Sequence, residues 1–300
     1  MNAHRLAATD LAETLGIPLE ELRETAANMG RYVRCWTNTR TAKPRPMRTP
    51  HGLLRQVQAS MSRALLKPIP QPDYVHGYVR KRTPVTGAAP HVGRPYVLAV
   101  DIENCFPSVT REHVLRVWKD LGWSSDAANL LTRLTTWDGC LPQGFVTSNE
   151  LSNLVLAPLD RGLYRLAQDH SLTYTRYADN ITFSGEMPLE WVYRVASRIA
   201  DKHGFHLKPA RVARTYERQE ITKLIVNEKI NPTREHLGRL RRDLRRCVRG
   251  GLEQVAPPER NRLRQSLRSR IGYVRSINPL KAKPLERMLR STAWGKQDNP

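Results

Sequence analysis

Two acidic residues are set apart by where they fall. Asp101 ends a short apolar run, "PYVLAVDIENCF" (95–106), and Asp179 lies where two alternating segments, "LTYTRYA" and "ITFSG", meet as a hairpin. Carboxylates at the ends of adjacent strands are a usual way to hold divalent cations. Hard cations such as Mg²⁺ take oxygen ligands, and two of them about 4 Å apart stabilise both the attacking and the leaving oxygen of a phosphoryl transfer. One Asp at a strand end is only a turn former, so the surroundings must decide. The residue after Asp179 is Asn180, nearly isosteric with a carboxylate but uncharged. Glu103, two residues beyond Asp101 on the same strand face, adds charge near the site or makes a salt bridge in solvent.

The elements that would carry these residues follow from periodicity. Residues 7–28 read as one or two short amphipathic helices broken at Gly16-Ile-Pro18, with Asp10 or Thr9 as cap. The basic, proline-punctuated stretch 31–50 suits strands and loops. Residues 51–67 space Leu53, Leu54, Val57, Met61, Leu65 and Leu66 at helical intervals, and a polar loop follows to about 95. Helix is expected over 111–136, then a turn-rich loop from Gly139 to Gly144 feeding a helix through 147–170. A further helix stops at Gly204, two short strands fit 205–230, and basic helix fills the last seventy residues. The order predicts an α+β fold with a mostly antiparallel sheet and a helical appendage.

The 300 residues carry 49 Lys and Arg against 28 Asp and Glu, a formal charge of +21, with a sequence pI near 10.4. Such an excess argues for a polyanionic partner, because each cation that neutralises a phosphate releases condensed counterions. Residues 231–300 hold 18 Lys and Arg against 6 Asp and Glu, so more than half of the excess lies there. In "REHLGRLRRDLRRCVRG" (234–250), Leu237, Leu240 and Leu244 form an apolar stripe, while Arg241, Arg242 and Arg245 fall on the face open to a phosphate backbone or RNA stem. No apolar run approaches the roughly 20 residues needed to span a bilayer, and no signal-peptide core begins the chain, so no membrane partner is expected. Cys35, Cys105, Cys140 and Cys247 lie far apart, which gives neither a zinc knuckle nor a disulfide framework and makes a reducing cytoplasm the default location.

The spacing of several segments resembles the reverse transcriptases, specifically the bacterial retron-type group. "VDIENCFPSV" (100–109) looks like their first palm motif, "LPQGFVTSNELSN" (141–153) the second, and "YTRYADNITFSG" (174–185) the third, Y-x-D-D. "GFHLKPARV" (204–212) and "RQEITKLIVN" (218–227) take the places of the motifs that follow. "RPMRTP" (45–50) and "HGYVRKRTPVTGAAPHVG" (76–93) resemble the fingers, and "LRSRIGYVRSINPLKAKPLERML" (267–289) the thumb.

The resemblance implies a right-hand polymerase: an N-terminal helical segment (1–30), fingers (31–95), palm (96–230) and a basic helical thumb (231–300). Asp101 and Asp179 would ligate two Mg²⁺ ions, or Mn²⁺, helped by the backbone carbonyl of Ile102. Phe106, a core residue if taken alone, would lie under the sugar of the incoming dNTP and exclude a 2′-hydroxyl. Gln143 and Gly144 would run along template and nucleotide. Arg45, with Arg40 or Lys43, would meet the triphosphate, and Arg211 falls where the family often has a Lys at the departing pyrophosphate. His91, Arg218, Gln219 and Lys223 would touch nucleic acid, although the fingers signature and the later V-T-G are only partly kept, as Gly87-Ala-Ala-Pro-His91 and Ile221-Thr-Lys223. The "VTG" at 85–87 is out of place.

The implied activity is RNA-directed DNA synthesis on a cognate structured noncoding RNA, giving an RNA-linked single-stranded DNA. Priming from a guanosine 2′-hydroxyl of that RNA and anti-phage defence beside an effector protein encoded nearby are further implications. No integrase, RNase H or maturase extension fits the sequence, so RNA removal is expected to fall to another enzyme. Asn180 stands where the pattern has a second Asp and keeps open a weakened or idle RNA-binding scaffold; the partly kept retron signatures keep open another bacterial reverse transcriptase of defence or intron origin.

Overall fold

The computed structural model describes residues 6–39, 44–249, 256–292 and 294. Arg40 and Lys43, two of the cations expected at the triphosphate, lie outside the described residues.

Helices α1 (Ala8–Leu15) and α2 (Leu19–Ala27) come first, parted at Gly16, whose φ of +65° ends α1. Asp10 is not the cap; it sits inside the first turn and accepts the Ala7 N–H at 2.6 Å. Strands β1 (Val33–Asn38) and β2 (Arg45–Pro50) pair as an antiparallel ribbon, and α3 (Gly52–Met61) runs on into a π-helical turn over Ser62–Leu66. Within the expected polar loop lies a short helix, α4 (Pro84–Ala88), capped by Thr83. The Thr86 hydroxyl meets His76 Nδ1 at 2.9 Å, and Gly87 leaves space for the same imidazole, which gives the displaced "VTG" a packing role.

Next come β3 (Tyr96–Asp101), the one-turn α5 (Cys105–Ser108), α6 (Arg111–Asp120) and α7 (Ser125–Thr135). The single helix expected over 111–136 is two, because Gly122 takes a φ of +91° and Ser124 caps α7 through the Ala127 N–H. The long α8 (Ser148–Asp169) turns Leu151, Val155, Leu156, Leu159 and Leu163 inward. Strands β4 (Thr173–Tyr177) and β5 (Asn180–Gly185), helix α9 (Glu190–Lys202) and strand β6 (Val212–Arg214) complete a four-stranded sheet of order β4-β5-β3-β6, antiparallel throughout. Its apolar face, with Leu98, Val100, Ile181 and Phe183, joins the helices around it in one core that reaches back to α1.

Where two strands were expected in 205–230, β6 is followed by a separate small sheet: β7 (Glu220–Ile221), β8 (Leu224–Ile225) and β9 (Asn231–Pro232). Helices α10 (Arg234–Val248), α11 (Pro257–Ile277) and α12 (Pro279–Arg290) then form a bundle with its own core. The predicted stripe of Leu237, Leu240 and Leu244 is buried in it together with Leu267, Ile271, Val274 and Leu285. Tyr273 and Ile277 of α11 pack on the apolar cluster under β7 and β8, tying the bundle to the sheet.

Candidate active site

The β4–β5 hairpin is closed by two residues, Ala178 and Asp179. Ala178 takes a positive φ of +56° and Asp179 does not, the pattern of a type II′ turn, whose handedness fits the twist of the flanking strands. Asn180, expected at the tip, is the first residue of β5 and pairs with Tyr177 on one side and Asp101 on the other. The sheet register thereby places Asp101 beside the turn, and the Ile102 N–H donates to the Asp179 carbonyl at 2.9 Å to lock the two loops together.

Each carboxylate has one oxygen engaged by a nitrogen of the chain. Lys208 Nζ lies 3.0 Å from Asp101 Oδ2, and Asn180 Nδ2 donates to Asp179 Oδ1 at 3.1 Å. Glu103 lies past the end of β3, exposed at the wall of the same space, with its N–H on the His206 carbonyl.

Two cavities meet at this point. The first, about 390 Å³, is lined by Arg45, Arg48, Ile102, Glu103, Phe106, Gln143, Asp179 and Lys208, among others. The second, about 550 Å³, is lined by Asp101, Tyr177, Ala178, Asp179, Asn180, Lys208, Thr222 and Lys223, among others. Asp179 and Lys208 belong to both. Burial and then the Asp179 carboxylate push the Tyr78 phenol and the Cys105 thiol up to about 12, so the negative field of Asp179 reaches into the cavity walls.

The turn is positioned by groups beneath it. Arg176 and Asp160 form a bidentate pair at 2.7–3.0 Å, both shut off from solvent, and the Tyr174 hydroxyl donates to the same carboxylate at 2.6 Å. Arg176 Nη1 reaches the Ala178 carbonyl at 2.8 Å and Asn153 Oδ1 at 3.0 Å, while Asn153 Nδ2 donates to the Gly77 carbonyl at 2.9 Å. A buried ion pair contributes little net stability, but it holds its partners in one geometry once every donor is satisfied. Above the turn run residues 74–77, bonded to β4 through the His76 N–H on the Arg176 carbonyl (2.7 Å) and the Arg176 N–H on the Tyr74 carbonyl (2.8 Å). A Cβ on Gly77 would stand 2.0 Å from the Ala178 nitrogen, so only glycine allows this approach.

The expected residues separate into those gathered here and those placed elsewhere. Asp101, Ile102, Asp179, Asn180, Arg45, Phe106, Gln143 and Lys223 all line the two cavities. Gly144 (φ +108°) makes a close approach to β2, where a Cβ would stand 2.6 Å from the Arg48 carbonyl. Arg211 lies outside both cavities, exposed and 3.1 Å from Glu217. His91 is not on a nucleic-acid face: it is fully buried, with Nδ1 2.7 Å from the Ser184 hydroxyl and Nε2 2.8 Å from that of Thr175. Burial pushes its pKa down to about 3, so it is a neutral internal clamp. Gln219 is equally buried, its amide donating to the carbonyls of Arg94 and Pro95, and Arg218 is paired with Glu220 and Glu235, each at 2.6 Å. Arg241, Arg242 and Arg245 stand exposed on α10 without an acidic partner among the described residues.

Sequence reasoning missed Lys208, Arg48, Gly77 and the Arg176–Asp160–Asn153 network. Arg48 follows Arg45 on β2, and its Nε is buried without a hydrogen-bond partner among the described residues, at the wall of the first cavity. The signal for the network was an Asp and an Arg set on apolar faces, in "LVLAPLDRGLY" and "LTYTRYA", since a buried charge must be paired.

Residues 37–227 match the family described as reverse transcriptase (RNA-dependent DNA polymerase). The chain belongs to the reverse transcriptases. It is 34% identical over 305 residues to the retron Mx65 reverse transcriptase of Myxococcus xanthus, covering 93% of this chain and 70% of that protein. It is 29% identical to the retron Ec86 reverse transcriptase of Escherichia coli over 59% of this chain and 56% of that one. Against the retron Mx162 reverse transcriptase of Myxococcus xanthus it is 27% identical over 92% of this chain, spanning 65% of the relative's length. The reverse transcriptase is thus of retron type, with the right-hand polymerase fold and the nucleotidyltransferase chemistry of its family. The matched range takes in both the end of β3 with Asp101 and the β4–β5 turn with Asp179.

Proposed function

We propose that the chain copies a cognate structured noncoding RNA into an RNA-linked single-stranded DNA at the junction of the two cavities. The observation that carries this reading is Asp179 at that junction, bonded through its carbonyl to the Ile102 N–H next to Asp101, with cations lining each cavity.

The donor set suits a divalent cation. The groups are carboxylate oxygens with the backbone of Ile102 alongside, the choice of a hard ion such as Mg²⁺ or Mn²⁺, and no closed cage of three or more His, Cys, Asp or Glu forms among the described residues. Two bound ions would supply charge neutralisation at the triphosphate and activation of the primer hydroxyl. In the first cavity Arg45 and Arg48 offer guanidinium donors to dNTP phosphates, Phe106 fills the space under the sugar, and Gln143 bounds the far wall. The second cavity, with Thr222 and Lys223 on the β7–β8 turn, receives the primer end.

On this reading the fingers run from 31 to 95, the palm from 96 to 230 and the thumb from 231 to 300, with residues 1–30 as a helical support. The arginines of α10 grip the RNA. The similarity to retron enzymes supports priming from that RNA, an effector protein encoded nearby and a role in anti-phage defence, in the cytoplasm. No helix among the described residues is long and apolar enough to cross a membrane.

The test is DNA synthesis by the purified protein with its co-purified RNA, dNTPs and Mg²⁺, beside Asp179→Ala and Asn180→Asp. Incorporation that Asp179→Ala abolishes is the expected result. Retention of RNA with no incorporation by the parent, restored by Asn180→Asp, would make the chain an idle RNA scaffold instead.

A further inference from the structure

Tyr78 has a conformation that its burial does not explain. It takes a φ of +61°, a left-handed backbone that a bulky side chain disfavours. Such strain persists only where the surrounding structure enforces it. Here the enforcement comes from the residue before: Gly77 is pressed on the Ala178 nitrogen and accepts Asn153 Nδ2 at 2.9 Å. The ring gains little burial in return. It is 42% exposed and belongs to none of the apolar clusters among the described residues. What it does meet is Phe106, edge to face, with ring centroids 6.5 Å apart and planes at 63°. Burial, then the charges of Asp179 and Cys105, push its phenol up to about 12, so the side chain lies close to the β4–β5 turn as well as to α5. Phe106 itself stands on that single helical turn, entered through Asn104 at a φ of +45°, and lines the first cavity, whereas Tyr78 lines neither cavity.

We infer that Tyr78 is a positioning residue for sugar selection: its ring braces Phe106, so that the wall which rejects a ribose 2′-hydroxyl is held from the segment above the Asp179 turn. Ribose and deoxyribose differ by one hydroxyl, and a wall free to shift by the width of that group no longer separates them. A one-turn helix gives Phe106 little support of its own, and an edge-to-face ring restricts where it can stand. Two successive residues then do linked work: Gly77 touches the turn that carries Asp179, and Tyr78 touches the ring under the sugar. The inference rests on the polymerase reading in taking the first cavity as the nucleotide site and Phe106 as its sugar wall.

The experiment measures equilibrium binding of dATP and of ATP, by calorimetric titration, to the full chain with its RNA and a primer whose terminal hydroxyl has been removed. The parent is expected to prefer dATP. Tyr78→Asn deletes the ring with a residue that accepts a left-handed φ, and should lower that preference about fivefold, through tighter ATP binding. Tyr78→Phe keeps the ring and should keep the parent preference. In a Phe106→Val background Tyr78→Asn should change the preference no further, since Tyr78 acts through Phe106. A parent without preference, a change under twofold in Tyr78→Asn, an equal loss in Tyr78→Phe or an additive loss in the Phe106→Val background overturns the inference. Primer extension with an intact primer separates the two readings. Synthesis with an unmoved preference leaves the polymerase standing and Tyr78 without this role; the expected fall in preference without synthesis does the reverse.

Discussion

Gly77→Ala tests whether the β4–β5 turn that carries Asp179 is held from above. The added Cβ would stand 2.0 Å from the Ala178 nitrogen, 2.7 Å from its Cα and 3.0 Å from the Tyr177 carbonyl carbon. Ordinary contact begins near 3.4 Å, so the turn or the 74–77 segment must move by about 1.4 Å. The 74–77 segment is bonded to β4 on both sides of Arg176 and to Asn153, and the turn is bonded to Arg176, so neither can move alone. Asp179 follows Ala178 directly and travels with it. A misplacement of about 1 Å costs about a hundredfold in rate. Gly77→Ala is therefore expected to lower the single-nucleotide incorporation rate about a hundredfold. Dissociation of the co-purified RNA should change less than threefold, because on the proposed reading the RNA is gripped by the α10 arginines, which belong to a separate core. Gly238→Ala, where an added Cβ meets nothing within 4 Å on α10, is the control and should melt at or slightly above the parent temperature. A Gly77→Ala protein that folds and incorporates within about threefold of the parent would refute the argument that this backbone contact sets the position of Asp179.

Ala178→Gly relieves a positive φ of +56° and is expected to stabilise by about 1 kcal/mol, seen as a melting temperature higher by about 2 °C; an unchanged or lower value contradicts the turn assignment. His91 has a folded pKa of about 3 against an unfolded value near 6.5, so the unfolded chain binds the extra proton between these limits and stability falls as pH drops from about 6.5 toward 3. His91→Gln should flatten the slope of unfolding free energy against pH in that window by about 1.4 kcal/mol per pH unit, measured by urea titration. Replacing Arg241, Arg242 and Arg245 together with Gln should lower the slope of log K against log salt for the RNA by about 3, one for each phosphate no longer neutralised, without altering dNTP KM; an unchanged slope places the RNA elsewhere. Asn180→Asp sets a second carboxylate beside Asp179 and removes the Nδ2 donor, so it should melt lower than the parent in EDTA and recover in Mg²⁺. Equal melting in both buffers would mean that residue 180 does not feel Asp179.

The strands and their two acidic residues are legible in the sequence because alternation and β-branched content are local properties. The register that sets Asp101 opposite Asn180 is a long-range property, and only the resemblance to known polymerases anticipates it. Local pattern also misleads. Over 111–136 the helical spacing runs through Gly122, where the chain reverses, because periodicity counts apolar positions and does not see a left-handed residue. Family position puts His91 and Gln219 on nucleic acid, whereas both are buried polar groups that join segments distant in sequence: His91 to Thr175 and Ser184, Gln219 to Arg94 and Pro95. A residue can hold a place in a motif because it builds the site's frame, and one sequence does not separate that from contact with substrate.

Asn180 shows the same limit from the other side. In the sequence it reads as a missing charge, a defect in a site that needs two carboxylates beside Asp101. In the structure it is a donor that fixes one oxygen of Asp179, and Lys208 does the same for Asp101. Adjacent carboxylates repel and raise one another's pKa unless a cation lies between them. The Asn180 amide and the Lys208 ammonium each offset part of that charge from within the chain, so Asn180 takes part in fixing Asp179 and is more than a missing carboxylate.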